Sequence, residues 1–157
     1  MTLERVKFTF VALFFAILAL VGLSAGADYG LPCDETTEQV ILQENMLEYA
    51  LRLFGEDSAP AQWYLSRGIT PISQSIERDH GQCAYYPAAA LLPLQEEAPD
   101  RVMVLWHAYT WLWFMLGVAA VYGFCREAKL SRPVSCGGML LLYLCPRFFA
   151  EGHYNSK

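Results

Sequence analysis

Between Arg101 and Arg126 the chain runs for 24 residues, VMVLWHAYTWLWFMLGVAAVYGFC, without an acid, lysine or arginine. At about 1.5 Å of rise per residue a helix of that length covers about 36 Å. A hydrocarbon core is about 30 Å thick, so residues 101–126 predict a transmembrane helix crossing with some tilt. A buried helix of a soluble two-layer domain needs neither this length nor a basic residue at each end. Trp106, Tyr109, Trp111 and Trp113 crowd the first half of the run, with His107 among them. Amphipathic rings favour headgroup depth, so these five side chains are expected at the membrane interface, with Arg126 and Lys129 anchoring the other end. His107 is expected within reach of water there, making a helix-to-helix or helix-to-loop hydrogen bond.

Residues 1–27 hold a second apolar run, FTFVALFFAILALVGL over 8–23, preceded by Arg5 and Lys7. Two readings fit it. Ser24-Ala25-Gly26-Ala27 has the small-residue pattern of a signal-peptidase site ending at Ala27. Counted through to Ala27, the run is also long enough for an uncleaved signal-anchor, and this is the reading we favour. Ala12, Ala16, Ala19 and Gly26 recur at helical spacing, a small-residue side suited to close helix packing in lipid. On the second span Gly117, Ala120 and Gly123 are expected to admit a partner helix for the same reason.

Charge divides the chain into three blocks. Residues 28–100 carry thirteen of the sixteen acids but only Arg52, Arg67 and Arg78 as bases. Arg5 and Lys7 lie before the first run, and Arg126, Lys129 and Arg132 follow the second. The positive-inside rule then places both ends on one side and the acidic 28–100 block on the other, an antiparallel hairpin with one large outside loop. A net charge of −5 argues against a nucleic-acid partner, which requires a basic face.

Within the acidic block, Thr36-Thr37-Glu38-Gln39 has the capping-box pattern, with Thr36 as N-cap. It predicts a helix over 37–54 with Val40, Leu47, Leu51 and Phe54 inward, a Glu48–Arg52 pair outward, and Gly55 as the stop. Ser58 with Pro60 predicts a short helix through Trp63 and Tyr64. Thr70-Pro71 predicts another, with Ile72 and Ile76 inward and Gly81 ending it. Pro87, Pro93 and Pro99 leave 82–100 irregular. The 127–157 tail is basic, and its 137–149 segment, interrupted at Pro146-Arg147, is expected to lie at the interface as a short helix. The fold class expected is therefore an all-α integral membrane protein. It is a two-span transmembrane hairpin with a small helical, loop-rich acidic domain between the spans and a C-terminal interfacial helix.

Little in the chain points to chemistry. Cys33 and Cys83 are alone in the outside block, and on an oxidising side a disulfide between them is the economical expectation. Cys125, Cys136 and Cys145 match no zinc spacing and are expected as reduced packing residues. His80 and His153 stand alone in the sequence. Phosphate loops, nucleophile elbows and intramembrane carboxylate pairs are all missing from the sequence, so no catalytic residue, cofactor, metal or small-molecule substrate is expected. The expectation is an accessory subunit of a multi-subunit membrane complex, touching other membrane subunits and lipid. A respiratory-chain or ATP-synthase type complex of the mitochondrial inner membrane is favoured. The alternative is a secretory-pathway receptor or adaptor with one span, a cleaved signal peptide and a partner-binding ectodomain.

Overall fold

The computed structural model describes residues 3–30, 34–80 and 82–154, with side chains described from Val6 to His153 within those ranges. Among them the chain is all-helical, with no strand. The α-helices are α1 (Leu3–Gly26), α2 (Glu35–Phe54), α3 (Ala59–Leu65), α4 (Pro99–Glu127), α5 (Arg132–Tyr143) and α6 (Pro146–Tyr154). Short 3₁₀ segments cover Ile72–Gln74 and Tyr86–Leu94. Two helices are long and apolar enough to cross a membrane: Val6–Gly26 of α1, mean hydropathy 2.5, and α4 across Pro99–Glu127, mean hydropathy 1.4. The chain divides into two compact units, one of residues 1–30 and 103–156, the other of 31–102.

The second unit is built around α2, which packs against α3 and both 3₁₀ segments. Its helix begins two residues earlier than the capping box predicts. Asp34 is the N-cap, and no side-chain cap bond is made. Glu35 and Glu38 occupy the first turn, where the amide end of a helix favours negative charge. The inward face also differs from the expected one. Ile41, Leu42, Leu47 and Ala50 are buried, whereas Val40 and Phe54 are exposed. The displaced positions are taken by polar groups: Glu38, Gln39 and Asn45 are buried as well. Burial of such groups is tolerated where partners reach them. Gln82 Nε2 donates to Glu38, Gln95 Nε2 donates to Gln39, and Asn45 Nδ2 donates to Ile41 O at 2.8 Å. A hydrophobic-periodicity reading misses such a face because it scores polar residues as outward.

Gly55 closes α2 at φ 85°, as expected of a residue needing the left-handed region. Ser58 caps α3, its Oγ accepting from Ala61 N–H. The third expected helix is only a 3₁₀ turn over Ile72–Gln74, in which Ile72 is buried and Ile76 is almost fully exposed. The proline-rich stretch is not irregular throughout, since Tyr86–Leu94 forms successive 3₁₀ turns that contain Pro93. A 3₁₀ path needs fewer of the amide donors that proline removes.

Glu48 links three parts of this unit. Its Oε2 accepts from Ser73 Oγ at 2.7 Å, and its Oε1 accepts from Arg52 Nε at 2.7 Å in the expected i,i+4 pair. The Ser73 hydroxyl first, and Arg52 second, hold the Glu48 carboxyl below its ordinary value of 4.5. A depressed carboxyl adds stability that is complete above 4.5 and fades as pH falls through the lower folded value. Glu48→Gln is therefore expected to flatten the acid limb of unfolding below pH 4.5, with an effect of up to about 1 kcal/mol because Arg52 is exposed. Unfolding followed by circular dichroism across that range checks it, and an unchanged acid limb contradicts the assignment.

Candidate functional site

The first unit is held by a cluster on α1, α4, α5 and α6. Leu18, Trp111, Met115, Val118, Met139 and Tyr143 are buried together, with Phe14, Phe15, Phe114 and Phe149 packed around them. On α4 the inward positions Trp106, His107, Thr110, Trp111, Met115 and Val118 follow helical spacing. Leu112, Leu116 and Phe124 point outward.

Trp111 sits at the centre of this cluster. It is fully buried, and its indole fills the space beside Gly22, where a Cβ would lie 1.8 Å from Trp111 Cζ2. Only a residue without a side chain lets the ring approach the α1 backbone so closely. Trp111 Nε1 then donates to Ala19 O at 3.1 Å. Gly152 on α6 has the same role toward Phe114, whose Cγ would lie 2.7 Å from a Cβ there.

His153 is stacked between two rings, Tyr29 at 4.3 Å with 6° between planes and Trp111 at 4.4 Å with 26°. Its Nε2 lies 2.9 Å from Gly22 O, and its Nδ1 lies 2.9 Å from Phe149 O. A neutral imidazole has one N–H and donates to one of these carbonyls; the protonated ring donates to both. Two further donors complete the set, His107 Nδ1 to Gly26 O at 3.3 Å and Tyr143 O–H to Leu18 O at 2.9 Å. Thr110 Oγ1 joins α4 to α6 through His153 O at 2.6 Å. In all, Leu18, Ala19, Gly22 and Gly26 present carbonyls to side chains of α4, α5 and α6. Their partners on α4 run in the opposite sense, Ala19 meeting Trp111 and Gly26 meeting His107.

The positions singled out in the sequence divide clearly. Of the expected interface residues, Trp113 is exposed and Tyr109 half-buried, with their rings 6.3 Å apart. Trp106, His107 and Trp111 are instead buried, turned by helical periodicity toward the neighbouring helices. His107 makes the helix-to-helix bond expected of it but lies inside the unit rather than at a wet interface. On α1, Ala19 packs at the core, while Ala12 and Ala16 are exposed. Gly22, not named among the small residues, makes the closest approach; the signal was the Gly22–Gly26 pair four residues apart. His153 is likewise missed as a lone histidine, although Phe149 and His153 share one face after Pro146.

Gly117 and Gly123 have nothing within 4 Å of an added Cβ, and Ala120 is exposed, so this face of α4 is open. Arg126 is exposed, with Nη1 donating to Leu130 O. Lys129 takes the left-handed position, φ 62°, that ends α4. Leu130 N–H reaches Cys125 O and Lys129 N–H reaches Arg126 O, the paired bonds of a Schellman stop, with lysine where glycine is usual. The tail forms two helices bent by 68°, rather than one interfacial helix over 137–149. Cys83 is an exposed free thiol, and Cys33 lies outside the described residues.

A cavity of about 20 Å³ remains beside His107 and His153, room for about one water. Among the described residues no group of three or more His, Cys, Asp or Glu is placed to hold a metal ion. The arrangement is suited to fixing helices, with its donors already engaged by backbone carbonyls. No protein family, curated protein or solved structure matches this chain.

Gly22→Ala is expected to cost about 1–3 kcal/mol through overpacking against Trp111. Gly117→Ala, facing open space, is expected to be neutral or stabilising by up to about 1 kcal/mol. Thermal unfolding in detergent, read by tryptophan emission, compares the two; equal effects would mean that Gly22 does not seat the indole.

Proposed function

We propose that the chain is a non-catalytic accessory subunit of a multi-subunit membrane complex. In this reading α1 and α4 form a two-span hairpin, and residues 31–102 form a domain on the acidic side. The inner mitochondrial membrane is the placement proposed, on the strength of the charge partition alone. The observation that carries the reading is the outer surface of the two long helices. Phe8, Phe10 and Leu20 on α1 and Leu116 and Phe124 on α4 are 59–77% exposed, with no intrachain cover. A patch of that kind in water is an aggregation hazard, whereas in a bilayer it is the ordinary lipid-facing or partner-facing surface. The open Gly117, Ala120 and Gly123 face suits a partner helix, because association in lipid depends on close packing rather than on hydrophobic drive.

The use of α1 favours the anchor over the cleaved signal peptide. Cleavage after Ala27 would remove the acceptors of Trp111, Tyr143, His107 and His153 Nε2 together. Each buried donor left unpartnered costs about 1–3 kcal/mol. Edman sequencing of the mature chain is expected to begin before residue 8; a start at Asp28 would replace this reading with the secretory one.

Gly123→Leu is expected to release the chain from its complex in blue-native electrophoresis while leaving it resistant to alkaline extraction. Leu116→Ala should be milder. Co-migration of Gly123→Leu at undiminished level would exclude this face as the interface. The Cys33–Cys83 disulfide belongs to the same proposal. Non-reducing peptide mapping should recover one cross-linked peptide if residues 31–102 face an oxidising compartment, and two alkylated thiols would reject it.

A further inference from the structure

At the opposite end of the first unit from His153, the start of α1 and the α4–α5 connection enclose a second cavity. It measures about 550 Å³. Lys7 and Phe10 line it from α1, Arg126 from α4, and Ser131, Arg132 and Cys136 from the beginning of α5. No carboxylate is among its described lining residues. Three cations around one space repel one another unless an anion sits among them. Arg126 is tied to Leu130 O, and Lys7 and Arg132 have interactions of their own within the chain, so the charges are held rather than trailing in solvent. Ser131 is the N-cap of α5, whose first-turn amides add partial positive charge at the same place.

The remaining wall is apolar. Phe10 is 68% exposed and continues outward along α1 to Phe8. An inorganic ion has no use for such a wall, but a lipid needs both parts: cations for its phosphodiester and an apolar track for its acyl chains. Basic pockets between spans on the positive side are where anionic headgroups are held.

We propose that this cavity binds the phosphate headgroup of an anionic phospholipid in the leaflet on the basic side of the membrane. The proposal rests on the membrane reading above. It also gives the Lys7, Arg126 and Arg132 cluster a role beyond orienting the chain. The headgroup would bridge α1, α4 and α5 where the aromatic cluster does not reach.

The test uses the full chain in a non-ionic detergent, with native mass spectrometry against phosphatidylglycerol, phosphatidylcholine and inorganic phosphate. One phosphatidylglycerol per chain is expected to be retained in preference to phosphatidylcholine, and inorganic phosphate is expected not to displace it. Lys7→Gln with Arg132→Gln should lower retention about twentyfold, since each basic side chain contributes about fivefold near an anionic surface. Cys136→Phe keeps every charge but fills the cavity, and should lower retention comparably even if the double variant fails to fold. Arg147→Gln, on α6 and away from the cavity, should change nothing. Equal retention of the two lipids, or undiminished phosphatidylglycerol on Cys136→Phe, would overturn the site. Displacement by inorganic phosphate would make it a phosphate site and overturn the lipid assignment. Loss of the wild-type chain to alkaline extraction would instead overturn the membrane reading, an outcome separate from loss of lipid selectivity in a chain that stays inserted.

Discussion

The indole of Trp111 lies against the bare backbone of Gly22, and the packing of the first unit follows from that approach. A side chain of any size at residue 22 would collide with the ring. Because the ring can come so near, its N–H reaches Ala19 O, and its face is left for His153 to stack upon. Phe114, Tyr143 and Phe149 then close around the indole at centroid distances of 4.9–5.8 Å. Three helices are thus fitted to the fourth by one large residue and one absent side chain. Aromatic pairs add about 0.5–1.5 kcal/mol each beyond the area they bury.

Hydrogen bonding reinforces the same contact. Helical carbonyls are already used once, by the amide four residues on, but each oxygen has a second lone pair. Trp111, Tyr143, His107 and His153 take up those second positions on Leu18, Ala19, Gly22 and Gly26. In an apolar surrounding a polar side chain must find such a partner or cost free energy. The donors of α4, α5 and α6 therefore need α1 as much as α1 needs their rings. This is the physical ground for treating α1 as a permanent part of the protein.

The two ends of this unit differ in chemistry. Near His153 and His107 the space is filled, and the residual void is about 20 Å³. Near Lys7 and Arg132 it is open at about 550 Å³ and positively charged. A closed, internally satisfied end suits structural support. An open basic end beside apolar walls suits a ligand with a charged head and an apolar tail. Neither end requires a reacting group, in keeping with a role in assembly. The second unit is different in kind, a small domain on α2 whose buried Glu38, Gln39 and Asn45 are matched by side chains from distant loops. Tyr86 belongs to the same network of loops, its phenol pushed up to about 12 first by the hydrogen bond with Tyr49.

The sequence by itself determined the two long apolar helices, because length and the absence of charge are local properties that no tertiary contact alters. It likewise determined the stop at Gly55, the cap at Ser58, and the Glu48–Arg52 pair, each set by residues within one turn. It did not determine which way α4 faces. Trp106, His107 and Trp111 carry the composition of an interface belt, and only the presence of Gly22 across from Trp111 turns them inward. The inward polar face of α2 was illegible for a related reason: Gln82 and Gln95, which satisfy it, lie over 40 residues away. His153, solitary in the chain, becomes central only when the bend after Tyr143 brings α6 back to α1. Periodicity and composition describe a helix in isolation, whereas a close approach is a property of two surfaces, and only the tertiary structure decided which surfaces meet.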